Sequence, residues 1–153
     1  MPAIGVKKQV EDFMIMMLRL FVILSLYVLM ACNPAPEETN IPNVRVDIEV
    51  DLNSIDSQPL QPIGGFIYLT GGVRGIVLIH TGLTEYVALD RNCTFEPGQT
   101  DAIVDMHDSG FYLEDITCTS TFDHNGFPTG GPAPFPLKKY RISRSGDLLF
   151  IMN

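Results

Sequence analysis

The sequence predicts an all-β chain: a small antiparallel sandwich or barrel behind an N-terminal signal segment. Three observations carry that prediction. Residues 44–52, "VRVDIEVDL", alternate apolar and polar side chains, which is the period of a half-buried strand. Short apolar or alternating runs then recur between turns rich in Gly and Asp, the spacing of an antiparallel domain. Beyond Cys32 no segment has a convincing helical period and no repeat is visible, which leaves packed sheets as the way to bury a core.

The chain has 153 residues and a formal charge of −8, long enough for one domain with a real core and too short for two comfortable ones. Its first part is read separately. Residues 14–31, "MIMMLRLFVILSLYVLMA", hold a single charge, Arg19, and lead into "LMAC". A lipoprotein signal requires an apolar helix, then Leu three residues before, and a small residue immediately before, a cysteine whose sulfur receives diacylglycerol; Leu29, Ala31 and Cys32 meet it. The run is also on the edge of spanning length for an uncleaved anchor. However, it stops at cysteine and is followed by "NPAPEETNIPN" rather than by a cluster of Lys and Arg. We therefore expect a lipoprotein signal peptide over residues 1–31, a Pro-rich acidic tether over 32–43 and a β domain over 44–153. Residues 1–13, with Glu11 and Asp12 where a signal is expected to be basic, read as a spurious extension before a start at Met14, Met16 or Met17. The expected location is the cell envelope, lipid-anchored to the membrane and either periplasmic or surface-exposed.

From Cys32 onward there are seven Lys plus Arg against sixteen Asp plus Glu. Such a surface repels phosphate backbones, and no basic stripe interleaved with aromatics offsets it, so nucleic acid is excluded as a partner. The remaining partners are the membrane, through the lipid, and an unidentified envelope protein.

Along the β domain, residues 44–52 place Val44, Val46, Ile48, Val50 and Leu52 on one face and the charged residues on the other. "SIDSQPLQPIGG" breaks the pattern. "FIYLT", "GIVLIHT", "EYVALDR", "AIVDM" and "GFYLEDITC" follow as strands, separated by "GGVRG", "TGLT", "EPGQTD" and "HDSG". At the end, Ser145, Gly146 and Asp147 read as the turn of a hairpin between residues 138–144 and 148–152.

With Cys32 lipidated, Cys93 and Cys118 remain, in a disulfide-permissive compartment. Each is expected at a strand end before a loop, so we expect a Cys93–Cys118 disulfide, which stabilises a loop of this size by about 3 to 4 kcal/mol. Two free thiols or a metal are the alternatives; an all-thiolate zinc or iron-sulfur site needs four cysteines. His80, in an apolar strand, and His107, in the turn "MHDSG", read as ordinary polar residues. His124 follows Cys118 by six residues, outside the usual ligand spacing. There is no G-x-S-x-G elbow and no phosphate-binding glycine loop: "GGVRG" lacks the Lys-Ser/Thr ending and a following helix.

Two segments carry a family resemblance: "YVALDRNCTF" and "CTSTFDHNGFPTGGPAPFPLKKY". They resemble the Rieske domain family, in particular its small lipoproteins from Bacteroidetes, over residues 44–153. The family pattern Y-x-A-x-x-x-x-C-x-H is matched except at its last position, and C-x-x-H-G-S-x-F-D is matched at Ser120, Phe122 and Asp123, followed by Gly126, Gly131, Pro132, Ala133, Pro134, Leu137 and Tyr140. The departures fall on the ligands. Cys93 stands at the first cysteine and Phe95 at the first histidine. Without a gap, Asp115 and Cys118 occupy the second cysteine and histidine positions; with a gap, Cys118 and Thr121 do. A Rieske centre needs two thiolates and two imidazoles. The resemblance thus implies a Rieske-like fold whose cluster pocket is filled in and covered by the Pro loop, Gly131 to Pro134, with no [2Fe-2S] cluster. Glu37 and Glu38, in "PEET", also resemble acidic export signals of Bacteroidetes surface lipoproteins.

The function expected is a non-enzymatic binding or structural module. A redox protein is the alternative, by dithiol cycling at Cys93 and Cys118 or by an atypical iron centre using His107 or His124. No C-x-x-C occurs, and Arg91 is the cation nearest in sequence to Cys93, an environment poor for lowering a thiol pKa. Docking through the Pro loop would require an exposed apolar patch at Phe127, Pro134 and Phe135.

Overall fold

Residues 76–80, Ile-Val-Leu-Ile-His, are buried one after another, which only a central strand with a core on each face allows. The computed structural model describes residues 13–20 and 41–153. It divides into two compact units, Met1–Pro36 and Glu37–Asn153. In the first, residues 13–20 are helical. Among the described residues no helix is long and apolar enough to cross a membrane. Leu29, Ala31, Cys32, Glu37 and Glu38 lie outside the described residues.

In the second unit the strands are β1 (Asp47–Asp51), β2 (Phe66–Leu69), β3 (Ile76–Gly82), β4 (Glu85–Asp90), β5 (Asp105–Met106), β6 (Leu113–Asp115), β7 (Ser120–Phe122), β8 (Pro128–Gly130), β9 (Lys139–Ser145) and β10 (Leu148–Met152). A six-stranded sheet has the order β1-β10-β9-β4-β3-β2, and a four-stranded sheet the order β5-β6-β7-β8. Every pairing within them is antiparallel. The expected all-β, antiparallel fold class is the one observed.

The two faces of β3 and β4 explain the double layer. Val77, Ile79, Val87 and Leu89 join Met106, Leu113 and Phe122 in a core shared with the smaller sheet. Ile76, Leu78 and Ala88 join Val50, Tyr140, Leu149 and Ile151 in a second core on the opposite face. The larger sheet curls around that second core: a Cβ on Gly71, just past β2, would lie 3.0 Å from Cδ1 of Ile48 on β1, the far edge strand. A short 3-10 helix, Ile55–Leu60, occupies the segment that broke the strand pattern and buries Leu60 in that core.

Three expectations are corrected. The first strand begins at Asp47, not at residue 44, because its partner β10 ends at Met152; the side chain of Asn153 takes over the pairing, accepting from Val46 N–H at 3.1 Å and donating to the Val44 carbonyl at 2.8 Å. "GFYLEDITC" shrinks to a three-residue strand, because Oδ1 of Asp115 accepts the N–H groups of Thr117 and Cys118 at 2.9 and 3.4 Å and bends the chain. Cys118 therefore sits in a turn, not at the end of a strand. "AIVDM" supplies only the two-residue β5, preceded by an isolated bridge from Ile103 to Asn92. The β9–β10 hairpin forms where it was expected with a turn one residue shorter: Ser145 belongs to β9 and pairs with Leu148, which leaves Gly146, at φ 61°, and Asp147 as the turn.

Candidate functional site

Past the end of β4, the chain forms a first loop over residues 91–104. Its mouth is held by two backbone bonds, Cys93 N–H to the Ala102 carbonyl and Val104 N–H to the Arg91 carbonyl. Arg74 reaches into it, donating to the Asn92 side-chain oxygen and to the Gln99 carbonyl. The second loop is the Asp115 turn between β6 and β7. The third is the Pro loop, residues 131–137, which runs from β8 toward β9.

Each pair of loops is joined. Thr117 of the second loop donates its hydroxyl to the Asp101 carbonyl of the first at 3.1 Å. Thr94 of the first loop donates to the Phe135 carbonyl of the Pro loop at 2.6 Å. Ala133 N–H of the Pro loop donates to the Ser120 hydroxyl at 3.1 Å, and the Cys118 thiol donates to the same oxygen at 3.0 Å. The Pro loop lies so close to β7 that a Cβ on Gly131 would come within 2.5 Å of Ser120 Cα, and its φ of 81° independently favours glycine.

At the junction, the sulfurs of Cys93 and Cys118 lie 3.7 Å apart, both as thiols. A carboxylate oxygen of Asp115 lies within 4.8 Å of both. Cys93 is fully buried and Asp115 is 1% exposed, while Cys118 is half-buried. Oδ2 of Asp115 is buried without a hydrogen bond of ordinary geometry, a costly state for a carboxylate oxygen. Burial pushes the Cys93 thiol up to about 12; the Phe95 backbone N–H works the other way, and hydrogen bonding to the Asp115 and Cys118 side chains adds to the rise.

The other sequence-predicted residues fall as follows. Phe95 is partly buried and packs, like Cys118, against the core shared by the two sheets. Thr121 points its hydroxyl to that of Thr129, 3.0 Å away on β8. Ala133 is buried, whereas Gly131, Pro132 and Pro134 are exposed. Phe127 and Phe135 are 57% and 38% exposed. The histidines are elsewhere. His80 stacks on Tyr86, with Nδ1 3.2 Å from the Pro62 carbonyl. His107 stacks on Tyr112 and pairs with the Ser109 hydroxyl. His124 places Nε2 3.0 Å from the Gly110 carbonyl. Arg91 is engaged by the Val104 carbonyl and the Asp105 carboxylate, with its guanidinium 4.3 Å over the Tyr68 ring, and so gives the thiols no cation.

Sequence reasoning gave no role to Ser120 beyond its match to the motif, or to Asp115 beyond its position in an ungapped alignment. A local signal for Asp115 was present: an Asp two residues before Thr117 marks an Asx turn. Nothing local announces Ser120, whose partners are a thiol and a loop thirteen residues away.

No family model matches the chain, and no curated protein matches it. Among solved structures it is similar to the cyanobacterial plasma membrane Rieske protein PetC3 from Synechocystis PCC 6803, with 18% identity and a TM-score of 0.42 over 50% of this chain and 75% of that one. It is also similar to the ferredoxin of carbazole 1,9a-dioxygenase from Nocardioides aromaticivorans IC177, with 16% identity and a TM-score of 0.46 over 71% of this chain and 97% of that one.

Proposed function

We propose that the chain is a lipid-anchored cell-envelope protein whose Rieske-like β domain carries no [2Fe-2S] cluster and serves as a non-enzymatic binding or structural module. The donor set at the loop junction carries this reading. A Rieske centre takes two thiolates on one iron and two imidazoles on the other. Among the described residues the junction offers two sulfurs and one carboxylate, while all three histidines are engaged elsewhere. That set does not fit the cluster.

The ungapped alignment is the one that the backbone favours. In it Thr119 stands at the glycine of C-x-x-H-G, and Thr119 has a φ of 61°, a left-handed conformation unusual for a side chain branched at Cβ. The same alignment assigns Asp115 and Cys118 to the second ligand pair, the two residues that approach Cys93. Phe95 then fills the first histidine position with an aromatic ring. The "LMAC" motif supports the anchor: acylation of Cys32 would tether the domain through residues 33–43. The Cys93–Cys118 disulfide is the oxidised form of the same junction, reached when the sulfurs close to about 2.05 Å.

The proximity of the two sulfurs also favours a second reading, dithiol redox cycling. It is opposed by the burial of Cys93, whose thiol is pushed up to about 12, the reverse of what a nucleophilic thiol requires.

Full-length protein from iron-replete cells tests the proposal by iron and sulfide analysis with electron paramagnetic resonance of the reduced sample. No iron-sulfur signal is expected. Stoichiometric iron and sulfide would overturn the reading. Cys32→Ser is expected to release the protein from the membrane fraction, and a membrane-bound variant would remove the lipid anchor from the proposal.

A further inference from the structure

We infer that Cys93, Asp115 and Cys118 form a binding site for a single thiophilic metal ion, with Zn²⁺ as the best-suited occupant. The three donors come from two loops that meet only through the fold. The separation of the two sulfurs matches the task. An ion in tetrahedral coordination with metal–sulfur bonds of about 2.3 Å holds its two sulfurs about 3.8 Å apart, and the sulfurs here lie 3.7 Å apart. The carboxylate oxygen lies within 4.8 Å of both.

The second observation concerns the carboxylate. Oδ1 of Asp115 is occupied by the Thr117 and Cys118 N–H groups, whereas Oδ2 is buried without a hydrogen bond of ordinary geometry, and the Cys93 thiol is the side-chain donor that faces the carboxylate. A metal ion would take the place of that thiol proton between sulfur and carboxylate. Binding releases two thiol protons as two metal–sulfur bonds form, and the two thiolates with one carboxylate then bring three negative charges to a divalent ion. Two thiolates favour Zn²⁺ over the hard cations Mg²⁺ and Ca²⁺, which take oxygen ligands. Three protein ligands would leave one position of a tetrahedron for water or a small anion.

The site rests on the absence of a [2Fe-2S] centre and on the reduced form of the Cys93–Cys118 pair, and not on the lipid anchor. The Zn²⁺ affinity and thiolate-to-metal charge-transfer absorption are measured on the full chain, reduced, stripped with chelator and titrated with Zn²⁺ and with Co²⁺ as the spectroscopic probe. One ion per chain is expected, with sulfur-to-cobalt absorption that Zn²⁺ displaces. Asp115→Asn is expected to weaken Zn²⁺ binding at least about tenfold, and Cys93→Ser to abolish the charge-transfer band. Asp115→Asn keeps an oxygen for the two turn N–H groups, so it serves as the informative variant if Cys93→Ser does not fold. No stoichiometric binding, or binding that Asp115→Asn leaves unchanged, overturns the inference. So does a Cys93–Cys118 disulfide that persists in the stripped protein under reductant. Iron with sulfide in the untreated protein would instead strike the proposed function, which separates the two failures.

Discussion

Two buried carboxylates, Asp90 beside the second core and Asp115 beside the core shared by the two sheets, end in opposite conditions. Asp90 is fully buried and fully answered. Its oxygens accept from the N–H groups of Val73, Arg74 and Asn92 and from the Tyr140 hydroxyl, the last at 2.6 Å. Gly72 lets the loop after β2 close over it, since a Cβ there would lie 2.4 Å from Oδ2. Asp115 satisfies one oxygen and leaves the other without a hydrogen bond, and its carboxylate lies within 4.8 Å of two sulfurs. Of the two equally buried acids, the first is a lock that ties β2, β4 and β9 together. The second has coordination capacity that no protein group uses.

The comparison can be broken first at Asp90. Asp90→Ala would strand three backbone N–H groups and the Tyr140 hydroxyl, and we expect a loss of about 3 to 5 kcal/mol in urea unfolding. A loss below about 1 kcal/mol would mean that the lock is ornamental. Gly131→Ala should cost about 1 to 3 kcal/mol, because its Cβ meets the Ser120 backbone at 2.5 Å rather than a flexible side chain. The Pro loop should also become more sensitive to protease. Tyr140→Phe removes one hydroxyl from Asp90 and should cost about 1 kcal/mol in thermal or urea melts. By contrast, Asp115→Asn in the metal-free, reduced chain should change stability by less than about 1 kcal/mol, because the bare oxygen contributes no bond to lose. A large loss there would erase the distinction.

The effect that is smallest at neutral pH, and that grows only as pH becomes alkaline, is the titration of Cys93. An unfolded cysteine titrates near 8.5, while the folded Cys93 thiol is pushed up to about 12. Between those values the unfolded chain gives up its proton and the folded chain keeps it, so stability falls as pH rises. The contribution is full below about 8.5 and is lost by about 12. Tyr140, raised by burial and by its bond to Asp90, acts with the same sign at higher pH. Urea melts at stepped alkaline pH should show this decline, and Cys93→Ala should flatten its lower part. An unchanged slope in that variant would remove Cys93 as the cause.

Much of the larger sheet was legible because its signals are local. The alternation in residues 44–52, the unbroken apolar run of β3 and the Gly146–Asp147 turn each state a period or a torsion that neighbouring residues decide. The smaller sheet was legible only in part: "AIVDM" and "GFYLEDITC" were expected as strands and contain β5 and β6, whereas β7 and β8 were not expected. Strands of two or three residues, as in β5 to β8, are too short to display a period, and β7 and β8 lie inside a Gly- and Pro-rich stretch that reads as one long turn. Each of these strands depends on its neighbours for pairing. The site divides in the same way: its cysteines could be picked out by counting, and its carboxylate only through one of two alignments of the family motif.

By itself, then, the sequence determined the all-β class, the central hairpin, the terminal hairpin and the acidic balance, because side-chain period, turn chemistry and charge are properties of adjacent residues. The tertiary structure alone decided that Cys93, Asp115 and Cys118 share one junction, that Ser120 holds both a thiol and the Pro loop, and that the histidines stand apart. Those contacts join residues up to twenty-five positions apart. The free energy that offsets the entropy of closing such loops comes from the core packed beneath them and not from any motif along the chain.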